Sequence, residues 1–308
     1  MDLTYKAGLH KYLCHPEHIQ KVREGKSVGP IHVTLFPTLK CQLNCSYCFC
    51  RSEKQKDEEL SWKDFNTAID TLTKHGLKAL EFAGGGEPTL WSHFEDGVKV
   101  AHSKGLKLSL ITNGITMNSI PLDVLSMFQW IRISVINMNQ LRSINFSRIP
   151  VKVSLSYTIA HNDWTNPPFD FWKELDSFIK GQYLTTRVAV EQPATEQDVI
   201  SGREFAEQYG APFFFSPKEF GTPAGCYMAW VRAEIDWKGY FLPCPAVMFE
   251  KQYVEDKFRL CHVDFLDDWL KNNTPYDLGF KCGFCDCGKE INDFIRGLLN
   301  GIKDVDFV

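Results

Sequence analysis

"IHVTLFPTLKCQLNCSYCFC", residues 31–50, joins a strand to a thiol-rich loop, and the fold is read outward from that junction. Residues 31–37, rich in apolar and β-branched side chains, read as a strand. The loop that follows places Cys41, Cys45 and Cys48 in a C-x3-C-x2-C spacing. Three thiolates from one short loop can hold three irons of a [4Fe–4S] cube and leave the fourth open to an outside ligand. A structural zinc site closes instead with four protein ligands. The obvious fourth candidate, Cys50, lies only two residues after Cys48, a span that strains tetrahedral closure. Cys50 is therefore read as a thiol beside the loop and not as a ligand.

Downstream, strands and helices alternate to about residue 217. Ser61 opens a helix with a capping-box pattern to Asp64, and Phe65, Ala68, Ile69 and Leu72 mark its buried face until Gly76 ends it. "LKALEFAGGGEP" (77–88) is a strand running into a glycine-rich turn, and a helix over 93–104 leads to the strand "LKLSLITNG" (106–114). Strands follow at 130–137, 151–160, 186–192 and 212–217, with helices at 168–180 and 201–209. Runs that are short, apolar on both faces and separated by helices predict an α/β fold, a partial (β/α)6 TIM-like barrel over 31–221. The cysteine loop then sits at the C-terminal face, where barrel active sites lie. Residues 1–30 form an N-terminal extension. "GTPAG" (221–225) reads as a linker into a third region, 222–308. There "AWVRAEIDWKGYFLPCP" (229–245) predicts a β-hairpin turning at Lys238-Gly239, and a last amphipathic helix spans about 290–302. The expected product is a small hairpin-plus-helix lobe.

The chain of 308 residues carries 34 basic and 38 acidic side chains, a net charge of −4, so no overall cationic field recruits nucleic acid. No secretion signal opens it and no run of eighteen apolar residues occurs, which predicts a cytoplasmic protein without a membrane anchor. In such a reducing compartment eleven cysteines point to metal or iron–sulfur ligation and not to disulfides.

The loop motif resembles that of the radical S-adenosylmethionine (SAM) superfamily, C-x3-C-x-aromatic-C, matched by Cys41, Cys45, Tyr47 and Cys48. A second match strengthens the resemblance: Gly85, Gly86, Glu87 and Pro88 stand after the second strand, where the family carries Gly-Gly-Glu-Pro. Glycines there would let the backbone approach the amino end of methionine. Asn113, within "ITNG" (111–114), and Ser134, late in the fourth strand, fall where the family contacts SAM. Family members often have an acidic residue shortly after that serine, whereas this chain has Asn137. The resemblance implies a SAM-binding [4Fe–4S] cluster and an electron donor such as flavodoxin or ferredoxin. It also implies reductive cleavage of SAM to a 5′-deoxyadenosyl radical that abstracts hydrogen inside a largely apolar interior, with Tyr47 beside the adenine. Cys226, Gly239 and Cys244 resemble the opening of the SPASM/twitch extensions, and Cys282 and Cys285 supply a C-x2-C. One auxiliary [4Fe–4S] cluster on Cys226, Cys244, Cys282 and Cys285 is implied, with Cys287 as the alternative ligand; four cysteines also make a closed zinc site.

The remaining chemistry-bearing residues have plainer readings. Cys14, His15 and His18 flank a helix start at Pro16, and Cys261 is read as core. Candidate acids or bases at strand ends are Tyr157, Arg187, Glu191, Lys218 and Glu219. Each alone fits a rim salt bridge as well. The substrate expected first is a small polar molecule such as a sugar, aminocyclitol or nucleoside, oxidised or rearranged. Peptide modification is the alternative, weakened by the thirty residues before the first strand, too few for a leader-binding domain. Modification of a nucleobase and a non-enzymatic zinc-binding role complete the readings.

Overall fold

The computed structural model describes residues 8–48, 50, 57–159, 169–182, 184–190, 195–209, 213–215, 225–249, 255–280 and 288–301. Two short helices, α1 (Leu9–Tyr12) and α2 (Pro16–Arg23), lead into strand β1 (His32–Leu35). His18 bonds the Tyr12 hydroxyl at 3.2 Å and the Gly29 carbonyl at 3.1 Å, so this segment is a helix start packed on the fold.

Strand and helix then alternate. After β1 come α3 (Trp62–Lys74), β2 (Ala79–Phe82), α4 (Phe94–Ser103), β3 (Lys107–Thr112), α5 (Leu122–Ser126), β4 (Phe128–Ser134) and α6 (Met138–Ser143). They are followed by β5 (Lys152–Ile159), α7 (Phe169–Gln182), β6 (Thr185–Val190), α8 (Glu196–Tyr209) and β7 (Phe213–Phe215). The Ser61 cap forms as the sequence predicts: its hydroxyl accepts from the Asp64 amide at 3.0 Å, and Phe65, Ala68, Ile69 and Leu72 are buried. Helix α8 begins five residues before the expected 201, because Thr195 and Asp198 cap it reciprocally at 2.7 and 3.2 Å.

After Gly225 the chain adds β8 (Arg232–Ile235), β9 (Tyr240–Leu242), α9 (Glu255–Phe258), β10 (Cys261–His262), α10 (Leu266–Asn272) and α11 (Lys289–Asn300). The expected hairpin is β8–β9, and Gly239 takes the positive φ of 77° that its turn needs. The strands form one sheet in the order β10-β9-β8-β1-β2-β3-β4-β5-β6-β7. Strands β1 to β7 are parallel neighbours in chain order, and β8 pairs in parallel with the free side of β1, His32 beside Arg232. This mixed sheet flanked by helices is consistent with a partial (β/α) barrel plus a C-terminal helical extension. The hairpin extends the same sheet. The extension packs back on the N-terminal segment, with the Tyr12 and Phe294 rings 6.0 Å apart, and within the extension Trp230 stacks on Trp269 at 5.5 Å.

Polarity, more than burial, alternates along the strands. Val33, Leu35, Leu80, Phe82, Leu110, Ile133, Leu155 and Val188 belong to the hydrophobic core beneath the helices. The opposite, inner face carries His32, Thr34, Glu81, Ser109, Arg132, Ser154, Arg232 and Glu234, aligned across neighbouring strands. This corrects the expectation of runs apolar on both faces and of a largely apolar interior. "HVTL", "ALEF" and "RAEI" alternate with period two, the pattern of a sheet with one greasy face.

Candidate functional site

Three loops at the C-terminal ends of β1, β2 and β3 interlock. The cysteine loop is held by the Gly-Gly-Glu-Pro turn: the Gly86 amide donates to the Thr38 carbonyl at 2.8 Å, and the Glu87 amide to the Lys40 carbonyl at 2.7 Å. A Cβ at Gly86 would lie 2.2 Å from the Lys40 carbonyl oxygen, and one at Gly85 would lie 2.9 Å from Leu39. Approach of the cysteine-loop backbone is therefore enough to require glycine at 86.

Glu87 is 2 % exposed, and both its oxygens bond the protein. Oε1 accepts from the Thr89 and Thr112 hydroxyls, each at 2.7 Å, and Oε2 from the Asn113 amide at 2.7 Å. Burial raises its carboxyl above the ordinary value, against the pull of those hydrogen bonds. Asn113 continues the network: its Oδ1 accepts from the Ile115 amide at 3.0 Å and from Gln42 of the cysteine loop at 3.4 Å. Its buried Nδ2 has no partner among the described residues. Gln140, which sequence reasoning missed, ties the loops after β3 and β4 by donating to the Asn113 and Ser134 carbonyls at 2.5 and 3.0 Å. Asn137 caps α6, accepting from the Gln140 amide at 2.9 Å.

Cys41, Cys45 and Cys48 are partly exposed in this one loop, and none is in a disulfide. Tyr47 lies among them: burial first, then Cys45, Tyr157 and Cys48, push its hydroxyl well above the tyrosine range. Cys50 is buried in a small apolar cluster with Phe36, Leu39, Ala83 and Trp237. Trp237 comes from the β8–β9 turn, touches Gly85 and donates its indole N–H to Glu58 at 3.0 Å. Three thiols in one loop, with a buried amide donor lacking a partner close by, fit a three-cysteine cluster and a polar ligand at its open position.

Among the other sequence-derived candidates, Tyr157 lies on the helix-facing side of β5 with its ring 5.2 Å from Phe171. Arg187 lies on the inner face, in one row with Ser134 and Ser156. Glu191, Lys218, Glu219, Cys282, Cys285 and Cys287 lie outside the described residues. Cys226 precedes β8 and Cys244 follows β9, so both stand at the open end of the hairpin, opposite its turn. The chain on either side of 281–287 reaches that end. The Leu278 amide donates to the Cys226 carbonyl at 3.0 Å, Phe280 packs in the cluster with Cys244, and the Tyr227 amide donates to Asn292 of α11 at 2.7 Å. Cys261 is partly buried on β10, and burial pushes its thiol up to about 12. A separate surface trio, Asp64, His262 and Asp264, brings its ligand atoms within 4.8 Å of one another, with the Lys63 ammonium already 3.0 Å from Asp264.

The inner face was the other site that sequence reasoning missed. Burial would raise Glu81, yet Arg232, His32 and Arg132 outweigh it and hold the carboxyl below its ordinary value. Burial, aided by Arg232, lowers His32 to about 4. Glu234 is fully buried, its two oxygens find no hydrogen-bond partner among the described residues, and burial, then Asp236, pushes its carboxyl well above the usual range.

The family model of the radical SAM superfamily matches residues 35–139, the span holding the three interlocked loops. An S-adenosylmethionine-dependent nucleotide dehydratase of Selenomonas ruminantium is 39% identical over 112 residues, 35% of this chain and 39% of that protein. The sporulation killing factor maturation protein SkfB of Bacillus subtilis (strain 168) is 25% identical over 253 residues, 70% of this chain and 60% of that protein. The chain thus spans between about two fifths and three fifths of these relatives. Streptococcus suis SuiB, solved with its precursor peptide SuiA, shares the fold at a TM-score of 0.58 and 16% identity, over 86% of this chain and 71% of that one. With the cysteine loop locked to its Gly-Gly-Glu-Pro partner, residues 35–139 carry a radical SAM domain, and the C-terminal extension resembles the SPASM/twitch auxiliary domains.

Proposed function

We propose that this chain is a radical SAM enzyme that takes hydrogen from a peptide substrate, in the manner of a maturase. The observation that carries the chemistry is the interlock of the cysteine loop with Gly86 and Glu87. The peptide reading is supported by the similarity to SkfB over 70% of the chain. In this reading Cys41, Cys45 and Cys48 hold the SAM-binding cluster, within a partial (β/α)6 barrel over 31–221. Tyr47, Gly85, Gly86, Glu87, Pro88, Asn113 and Ser134 line the SAM site. When bound, the cluster and SAM supply a one-electron reductive cleavage and a carbon radical able to take hydrogen from an unactivated C–H bond. The chain itself positions and excludes. Glu87 fixes the loops after β2 and β3 to each other, and Asn113 Nδ2 offers a hydrogen bond to the ligand. Trp237 closes the apolar cluster behind the cysteine loop. Cys226, Cys244, Cys282 and Cys285, or Cys287 in place of Cys285, hold one auxiliary cluster in the region 222–308. Flavodoxin or ferredoxin supplies the electron; of the candidate catalytic groups Tyr157, Arg187 and Glu191, Arg187 faces the interior as a fixed positive charge, while Tyr157 faces the helices.

A small polar or nucleotide-like substrate is the second reading. It is favoured by the 39% identity to a nucleotide dehydratase and by the charged inner face. Anaerobic reconstitution should give brown protein with about eight irons, two cubes of four. Reductant plus SAM should yield 5′-deoxyadenosine, and Cys45→Ala should abolish it. Colourless protein loaded with zinc, or cleavage retained in Cys45→Ala, would overturn the reading. Deuterium transfer into 5′-deoxyadenosine from labelled peptides, and not from labelled nucleotides or aminocyclitols, is the expected result for substrate class; the reverse would install the second reading.

A further inference from the structure

The inner face of β4, β5 and β6 carries a second polar group of residues distinct from the interlocked loops. Register aligns Arg132 with Ser154 and Thr185 in one row, and Ser134 with Ser156 and Arg187 in the next row toward the C-terminal ends. Ser154 is 2 % exposed. Its Oγ, the Thr185 Oγ1 and the Arg187 Nε are all buried without a hydrogen-bond partner among the described residues. Buried polar atoms are ordinarily satisfied, and an unpaired hydroxyl or guanidinium N–H marks a place where a ligand or ordered water completes the structure. Three such donors on adjacent strands, facing one side, ask for an acceptor-rich group.

The charge has the same sense. Arg132 and Arg187 flank β5 on this face. Glu81, which Arg132 influences, sits two strands from Arg132 and is already balanced by Arg232 at 3.4 Å. No carboxylate is ion-paired with Arg187 among the described residues. A planar guanidinium with serine and threonine hydroxyls beside it matches the geometry of a carboxylate or phosphate.

We infer that Arg187, with Ser154, Ser156 and Thr185, forms an oxyanion subsite that anchors a carboxylate or phosphate of the substrate below the SAM site. The inference rests on the radical SAM reading of the loops, and it narrows the substrate to one bearing such a group. An acidic or C-terminal residue would supply it in a peptide, and a phosphate in a nucleotide.

The test is titration calorimetry on the anaerobically reconstituted chain, with inorganic phosphate and glutarate as probes, each with and without saturating SAM. At least one probe should bind, and preference for glutarate or for phosphate separates the two sources. Arg187→Ala should weaken that binding about tenfold or more. Arg187→Lys should weaken it less, and Ser154→Ala should give a smaller loss of about threefold. Arg142→Ala, a surface control, should change it less than about twofold. Three results would overturn the inference: no binding of either probe, equal binding by wild type and both Arg187 variants, or loss of binding whenever SAM is present. The last would give the subsite to SAM itself. Cys45→Ala separates this inference from the reading it rests on. That variant should lose iron and SAM cleavage while keeping the anion affinity, and if it lost both together the subsite would not be independent of the loops.

Discussion

Glu234 and Glu81 stand on either side of Thr34 on the same face of the sheet, yet their environments push them in opposite directions. Glu81 has Arg232 within 3.4 Å and a hydroxyl donor in Thr34, and it is held ionised. Glu234 has neither hydrogen bond, and burial keeps it protonated well above its ordinary 4.5. Between 4.5 and that raised value the folded chain holds a proton that the unfolded chain has released, so this residue lowers stability as pH rises through the window. Glu234→Gln should remove the effect. In urea unfolding, the stability difference between variant and wild type should grow in the variant's favour by about 1.4 kcal/mol per pH unit within the window. A difference independent of pH from 5 to 8 would show that Glu234 is ionised in the fold. None of this was legible residue by residue. "RAEI" shows the alternation, but which carboxylate finds an arginine depends on register between β8, β1 and β2. Glu87 teaches the same lesson: the motif flagged it, while its three partners on Thr89, Thr112 and Asn113 come from two loops that only the sheet order brings together.

At the scale of elements, the β8–β9 hairpin was legible and its purpose was not. Lys238-Gly239 announced a turn, but nothing local announced that Trp237 would fill the space behind Cys50 and press on Gly85. That contact joins segments some 150 to 190 positions apart in the chain, beyond the reach of any periodicity. Trp237→Ala should cost about 3–5 kcal/mol, the usual loss for a buried aromatic. It should also loosen residues 36–50, seen as faster amide exchange in that loop while α3 and α4 keep their protection. Unchanged exchange in the loop would make the indole mere filler. The helices read well where caps are local. Ser61 with Asp64 was recognised, whereas Thr195 with Asp198 formed the same device and went unread, so α8 was started too late.

For the whole molecule, the hairpin separates two sets of cysteines. Its turn meets the Cys41–Cys48 loop, and its open end carries Cys226 and Cys244. The four residues of β8 alone span roughly 13 Å at about 3.3 Å each. If each set holds a cluster, the two should be magnetically weakly coupled. Electron paramagnetic resonance of the doubly reduced protein should show the loop cluster's signal close in shape to that of Cys244→Ala. Strongly split lines in the wild type would place the clusters side by side and dismantle this layout. The sequence marked both sets of thiols, and the sheet order supplied the distance between them.

The pairing of β1 with β8 sets residue 32 beside residue 232. During synthesis at about 5–20 residues per second, β1 waits tens of seconds or less for that neighbour, with one hydrogen-bonding edge open. Six strands can line up behind it in order of emergence, but the sheet has no finished margin on the β1 side until the chain has passed residue 235. An open parallel edge is a docking template for any other nascent strand. A chain ended at residue 221 would keep that edge for life. The last third of this polypeptide is therefore, besides a holder of thiols, the piece that ends the molecule's vulnerability on the ribosome.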